Sequence, residues 1–297
     1  VKIAGISFRV HPLFLVVLVV AYFGRALPEV LGLFVIVVLH ELGHVIAASL
    51  LGYQTESIEL LPFGGVARLS SSSFGFSPRH ETIIAIAGPL VNFLLALLGL
   101  LAHFALFISE PVALSFVTVN LSLFFFNLLP GLPLDGGRIA RAGLARRRGY
   151  LAATKAVIRV SFLLSVVLIA MGAFALWLGY ADAGLLLLGV FLLVSAYTAG
   201  RQTRYDLLRF LEVKRREKVS AQPLSSFIVN SDAAIGEVAA KLAPGAYHLI
   251  YVRTELDVTV SPSSQSRTRT QGVIDEEQLL SAVFERSMWT ERVSALL

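Results

Sequence analysis

The sequence predicts an α-helical polytopic membrane protein, with about six transmembrane helices and a small C-terminal α/β domain in the cytoplasm. Three observations predict it. Hydrophobic residues make up 56% of the 297 and charged residues only 15%, with a mean hydropathy of +0.76, which is too apolar for an ordinary soluble domain. Six apolar stretches recur along the chain, most of them near the roughly 20 residues a spanning helix needs. After Gly200 the composition turns polar and basic, and from Val219 it has the character of a soluble module.

The apolar stretches fall at about 10–27, 30–51, 81–109, 111–129, 156–179 and 183–200. The first has a strongly apolar core only from Pro12 to Phe23, short enough for a tilted or partly re-entrant segment. No small-residue cleavage site follows it, so it is expected to remain as an uncleaved N-terminal span. Between the second and third stretches, residues 52–80 are polar. They predict a short hairpin turning around Pro62-Phe63-Gly64-Gly65, directly after the second helix.

Positive charge sets the expected topology. Arg68 and Arg79, then Arg138 to Arg159, then Arg201 to Lys218 all fall on one side, whereas the other carries Arg25 and otherwise acids such as Glu29, Glu110 and Asp182. Both termini are therefore expected in the cytoplasm. The net charge of +5 and pI near 9.6 reflect basic residues crowded beside apolar segments, a pattern of membrane-surface anchoring rather than nucleic-acid binding. Residues 201–218 read as a basic amphipathic helix continuing from the sixth span along anionic headgroups.

From residue 219 the pattern predicts a helix near 233–242, a strand near 247–252, a Ser/Thr/Gln-rich insertion near 261–271 and a helix from Asp275 to about Arg286. There is no cysteine, so disulfides and thiolate ligands are excluded and histidines and carboxylates are left as metal donors.

The run His40-Glu41-Leu42-Gly43-His44 lies inside the second apolar stretch. On a helix His40 and His44 share one face, so both imidazoles can bind one metal while Glu41, a quarter-turn round, reaches the water. Such residues are costly to desolvate at bilayer depth unless they work together, which makes them a hydrolytic centre in outline. A third protein ligand should come from another segment. Asn127-Leu-Leu-Pro130-Gly-Leu-Pro133-Leu-Asp135-Gly-Gly137 can supply it, because the prolines interrupt the fourth stretch and the glycines let Asp135 turn back. On spacing alone the alternative for Asp135 is the cap of a helix beginning near Arg138. A strand edge in the 52–80 segment could pair with an extended peptide; it reads equally as a connecting loop. His103 and His248 read as packed or surface histidines, His80 as a membrane-boundary anchor, and Asn92 and Asn120 as packing residues that bond across helices.

These residues resemble the site-2 family of intramembrane zinc metalloproteases. His40, Glu41 and His44 match its HExxH signature; Asn127, Pro130, Asp135 and Gly136 match its second motif; and Ala87-Gly88-Pro89 with Asn92 is similar to a third, in which close helix packing is expected. The resemblance implies zinc as cofactor, held by His40, His44 and Asp135, with Glu41 as general base and Asn127 holding substrate or site. His11-Pro12 and the Leu61-Pro62-Phe63-Gly64-Gly65 loop resemble the stage IV sporulation protein FB branch, and Pro62, Phe63 and Gly64 are candidate substrate contacts.

The resemblance divides the chain into a protease domain at 1–200, a linker at 201–218 and a single, partial CBS-like domain at 219–297. A CBS pair commonly binds adenine nucleotides, so ATP and a homo-oligomer completing the cleft are implied. The branch implies a sigma-factor precursor as membrane-associated substrate, inhibitory membrane proteins as partners, and a bacterial cell membrane, here that surrounding a forespore. The open alternatives are a general site-2 protease cutting anti-sigma factors or signal-peptide remnants, and a non-catalytic metal transporter or scaffold.

Overall fold

The computed structural model describes residues 2–3, 6–10, 12–53, 55–61, 64–69, 77–180, 183–216, 222–255 and 268–297. Seven helices lead the description: α1 (Pro12–Phe23), α2 (Leu27–Leu50), α3 (Pro78–Phe104), α4 (Glu110–Asn127), α5 (Asp135–Arg148), α6 (Tyr150–Trp177) and α7 (Gly184–Arg216). Among the described residues five of these, α2, α3, α4, α6 and α7, are long and apolar enough to cross a membrane. The expected count of six is thus corrected to five. With 12 residues, α1 reaches only about 18 Å of a roughly 30 Å hydrocarbon core. Helices α2, α3 and α4 each carry proline in the first turn, where its fixed φ suits the helix and its missing N–H has no partner to lose.

The chain divides into two compact units. The first comprises residues 1–142 and 157–197, the second 143–156 and 198–297.

In the first unit, α3 packs against both α2 and α4. Small residues allow the approach: a Cβ on Gly43 would lie 2.8 Å from the Ala87 carbonyl oxygen, and Gly189 and Gly172 similarly let α7 and α6 close on each other. A four-stranded sheet runs β1 (Lys2–Ile3), β2 (Ile6–Val10), β3 (Thr55–Leu61), β4 (Gly64–Leu69), in that order. The expected hairpin is β3 with β4, antiparallel, Leu61 opposite Gly64; Pro62 and Phe63 lie outside the described residues. Strands β1 and β2 were not foreseen. The parallel partner of β2, with Ser7 opposite Ser57, is fifty residues away, and no local pattern reports such a pairing. Strand β4 is the sheet edge beside α2.

The second unit is a three-stranded sheet, β5 (Leu224–Asn230) parallel to β6 (Tyr247–Glu255) and β6 antiparallel to β7 (Thr268–Asp275), with helices α8 (Ile235–Ala239) and α9 (Glu276–Phe284) and a final 3-10 turn, Val293–Leu296. Val229, Ile250, Val252 and Ile274 on one sheet face are buried together with Ile235, Val238, Leu279 and Leu280 of the helices. Asp275 caps α9 by accepting from the Gln278 N–H at 2.7 Å in a capping box. The expected insertion falls mostly outside the described residues, and β7 begins at Thr268. This architecture establishes an α/β unit and no more specific likeness to CBS. Its core also takes in the α5–α6 turn: Gly149, at φ +80°, comes close to the Lys241 carbonyl, the Tyr150 N–H donates to Leu242 at 3.3 Å, and the Tyr150 ring stacks on Phe210.

Candidate metal centre

Helix α2 is apolar along most of its length and buries three polar side chains in its middle, His40, Glu41 and His44. The four-residue spacing puts both imidazoles on one face, with their Nε2 atoms 3.2 Å apart. Each ring is oriented from behind. His40 Nδ1 bonds to Asn92 Oδ1, and His44 Nδ1 bonds to the Ile84 carbonyl oxygen at 2.7 Å. Both partners are acceptors, so Nδ1 carries the proton in each ring and the Nε2 lone pairs point forward. Asn92 is itself held, because its Nδ2 donates to Asn120 Oδ1 at 3.2 Å and Asn120 Nδ2 donates to the Phe116 carbonyl at 2.9 Å.

The third donor arrives through a break in the helices. Between α4 and α5 the chain turns through Pro130 and the cis Leu132–Pro133 peptide. Gly137 packs on the loop so closely that a Cβ there would lie 2.6 Å from the Leu132 nitrogen. Asp135 opens α5, and its Oδ2 stands 3.2 Å from the Nε2 of both His40 and His44. The Arg138 guanidinium, 3.4 Å from its Oδ1, favours the ionised carboxylate.

These three atoms form a triangle with sides of 3.2 Å. Tetrahedral ligands about 2.05 Å from a zinc ion stand roughly 3.3 Å from one another. The donors, two nitrogens and one carboxylate oxygen, are those of a catalytic zinc site with a position left open. Gly88 of α3 lines the triangle: a Cβ there would lie 2.7 Å from His40 Nε2 and nearer still to the His44 ring, so only glycine fits. Glu41, 8% exposed, forms no hydrogen bond or ion pair among the described residues. A buried ion pair between Arg141 and Glu81 ties α5 to the first turn of α3.

The other expected residues form no hydrogen bond to this cluster among the described residues. Asn127 is half-buried, and its Nδ2 donates to the Leu123 carbonyl of its own helix at 3.1 Å. Gly64 begins β4. His80 accepts or donates at 2.6 Å with the Tyr53 hydroxyl, and His103 bonds the Ile108 carbonyl at 3.3 Å near the end of α3. Asn92 bonds across helices as expected, to His40 of α2 and Asn120 of α4, and it thereby orients the His40 ring; an asparagine in an apolar span was the signal available for it.

The profile of Peptidase family M50 matches residues 28–112 and 104–168. A zinc metalloprotease of Methanocaldococcus jannaschii is 33% identical over 248 residues, covering 80% of this chain and 69% of the relative. The chain belongs to Peptidase family M50, the site-2 proteases. The solved site-2 protease from Methanocaldococcus jannaschii matches this M50 peptidase with a TM-score of 0.53 at 31% identity, over 68% of this chain and 94% of that one. Stage IV sporulation protein FB of Bacillus subtilis is 27% identical over 297 residues, 98% of this chain and 96% of the relative. This M50 enzyme is an intramembrane zinc metalloendopeptidase.

Proposed function

We propose that His40, His44 and Asp135 hold the catalytic zinc and that Glu41 is the general base for peptide-bond hydrolysis within the membrane. The observation that carries this is the 3.2 Å triangle of acceptor atoms, two from the apolar helix α2 and one from the first residue of α5. When bound, zinc supplies a Lewis acid for the scissile carbonyl and lowers the pKa of water toward neutrality. Glu41 takes the proton from that water and returns it to the leaving amine nitrogen. The edge of β4, beginning at Gly64, receives an extended substrate segment by backbone pairing, because a helical peptide shields the bonds to be cut, and Pro62 and Phe63 contribute substrate contacts. Asn127 contacts the substrate from the end of α4.

The substrate on this reading is a cytoplasmic protein with a short membrane-associated segment, a sporulation sigma-factor precursor. Support comes from the similarity to stage IV sporulation protein FB over nearly the whole chain. Both termini lie in the cytoplasm of a bacterial cell membrane, the one surrounding a forespore, and membrane inhibitor proteins restrain the enzyme until release. Residues 219–297 act as a CBS-like module that docks the substrate and, in a homo-oligomer, takes ATP. Co-expression with candidate membrane-tethered precursors tests the reading. Gel mobility should report cleavage with the intact enzyme and none with Glu41→Gln; precursors left uncut by both would remove the sigma-factor assignment.

A further inference from the structure

Among the described residues, one side chain from another helix bonds a backbone amide of the loop that leads to Asp135. Within the loop, Gly131 N–H donates to Leu129 at 2.8 Å, Leu134 N–H to Gly131 at 2.9 Å and Gly137 N–H to Leu134 at 3.0 Å, while Pro130 and Pro133 have no N–H. The Leu128 and Leu129 N–H groups donate back to α4, and the Leu132 N–H reaches a different helix, donating to the Ser161 hydroxyl of α6 at 2.7 Å. That hydroxyl donates its own proton to the Val157 carbonyl at 2.9 Å, one turn back along α6, so its oxygen is fixed as an acceptor facing Leu132. Ser161 is fully buried and Leu132 nearly so, and Gly131 brings the loop close enough that a Cβ there would lie 3.5 Å from Ser161 Cα. Because both residues are buried, losing this acceptor leaves the Leu132 N–H unpaired unless the loop shifts to satisfy it some other way.

We infer that Ser161 is a positioning residue for the metal centre: by accepting the Leu132 N–H it sets the turn that aims Asp135 at His40 and His44. This rests on the reading of Asp135 as a zinc ligand. Only Pro133 and Leu134 separate Leu132 from Asp135, and the Leu134-to-Gly131 bond makes the intervening turn stiff. A displacement at Leu132 is therefore carried to the carboxylate. Ser165, one turn further along α6, provides the comparison. It is equally buried and bonds only its own helix, to the Phe162 carbonyl at 2.7 Å.

The test uses the full-length zinc-loaded enzyme in detergent, with zinc retention measured by competition against a chromophoric chelator and kcat separated from KM on one substrate. Ser161→Ala should weaken zinc retention by about 10-fold and lower kcat with KM unchanged, as outer partners of metal sites do. Ser161→Thr, which keeps the hydroxyl, should recover most of the loss, and Ser165→Ala should match the wild type. Should Ser161→Ala fail to fold, Ser161→Cys carries the test, because the volume stays while sulfur accepts weakly; it should lie between wild type and full loss. Wild-type zinc retention in the Ala or Cys variant, or an equal loss in Ser165→Ala, overturns the inference. Asp135→Ala, run alongside, separates the failures: if it too keeps zinc, the ligand reading is what fell.

Discussion

His248 in the second unit and His40 in the first both face a buried carboxylate, and they differ in what each ring has left over. In the tail, His248 Nδ1 lies 2.8 Å from Glu276 Oε2 and its Nε2 accepts the Ala243 N–H at 3.3 Å, so both ring nitrogens are engaged. Glu276 Oε1 in turn meets Lys214 Nζ at 3.0 Å. One carboxylate, one ammonium and one neutral ring close on themselves with no atom unsatisfied. At the metal centre the pattern is reversed: Nδ1 of each ring is turned outward to Asn92 or Ile84, and the two Nε2 atoms share a single Asp135 oxygen with no proton between the rings to reconcile them. Three acceptors gathered at one point suit a bound cation. A buried histidine beside a carboxylate is thus no sign of a metal; the sign is which ring nitrogen has been taken by an oriented acceptor behind it.

Ordered by effect on catalysis, substitutions should separate the two regions. Asp135→Ala removes a corner of the triangle, so zinc analysis of the purified variant should show the metal lost and activity at background; full, tight zinc would return Asp135 to the role of a helix cap. Glu41→Gln should keep zinc and fold while turnover falls about 100-fold or more, because the water loses its base. Unchanged turnover would exclude Glu41 from proton transfer. Asn92→Ala frees His40 Nδ1 and should weaken zinc affinity roughly 10-fold to 100-fold, the range for partners that orient metal-bound histidines. An Asn92→Ala enzyme with wild-type zinc affinity would mean that α2 packing alone holds the ring.

The difference between the regions also decides what could be read from the chain. His40 and His44 were legible because their spacing is local to one helix, and Asp135 because prolines and glycines announce a break. The helices and central strand of the tail were legible for the same reason. Asn92 and Ser161 were visible as polar residues in apolar spans, yet their partners, His40 and the Leu132 amide, lie 52 and 29 residues away, and nothing local names them. The span count differs at the first stretch, 10–27, whose strongly apolar core runs only from Pro12 to Phe23. The turn at Gly24 and Arg25 cuts it, leaving α1 short and α2 complete. Strand β2 escaped notice because its register is set by a parallel partner beyond α2.

The smallest expected effects on catalysis come from two neighbours in the tail, and they sharpen what burial contributes. Lys214 is nearly inaccessible, and its ammonium donates to the Ala246 carbonyl at 2.7 Å as well as facing Glu276. Lys214→Met keeps the aliphatic stem but leaves Glu276 with His248 alone, an uncompensated buried charge that should cost the tail about 3 kcal/mol or more. Arg215, the next residue, points outward. It pairs with Glu285 at 2.6 Å, where both side chains are more than a third exposed, and lies 5.7 Å from the Phe284 ring centroid. Water and salt screen that pair, so Arg215→Gln should cost about 1 kcal/mol or less. Hydrogen exchange of the β6 and α9 amides measures both, and zinc retention should be unchanged in each variant. If Lys214→Met left tail protection intact, the closed network would be dispensable. If it released zinc, the two regions would be energetically one, and the distinction between a self-satisfied histidine and a metal-seeking one would have to be drawn elsewhere.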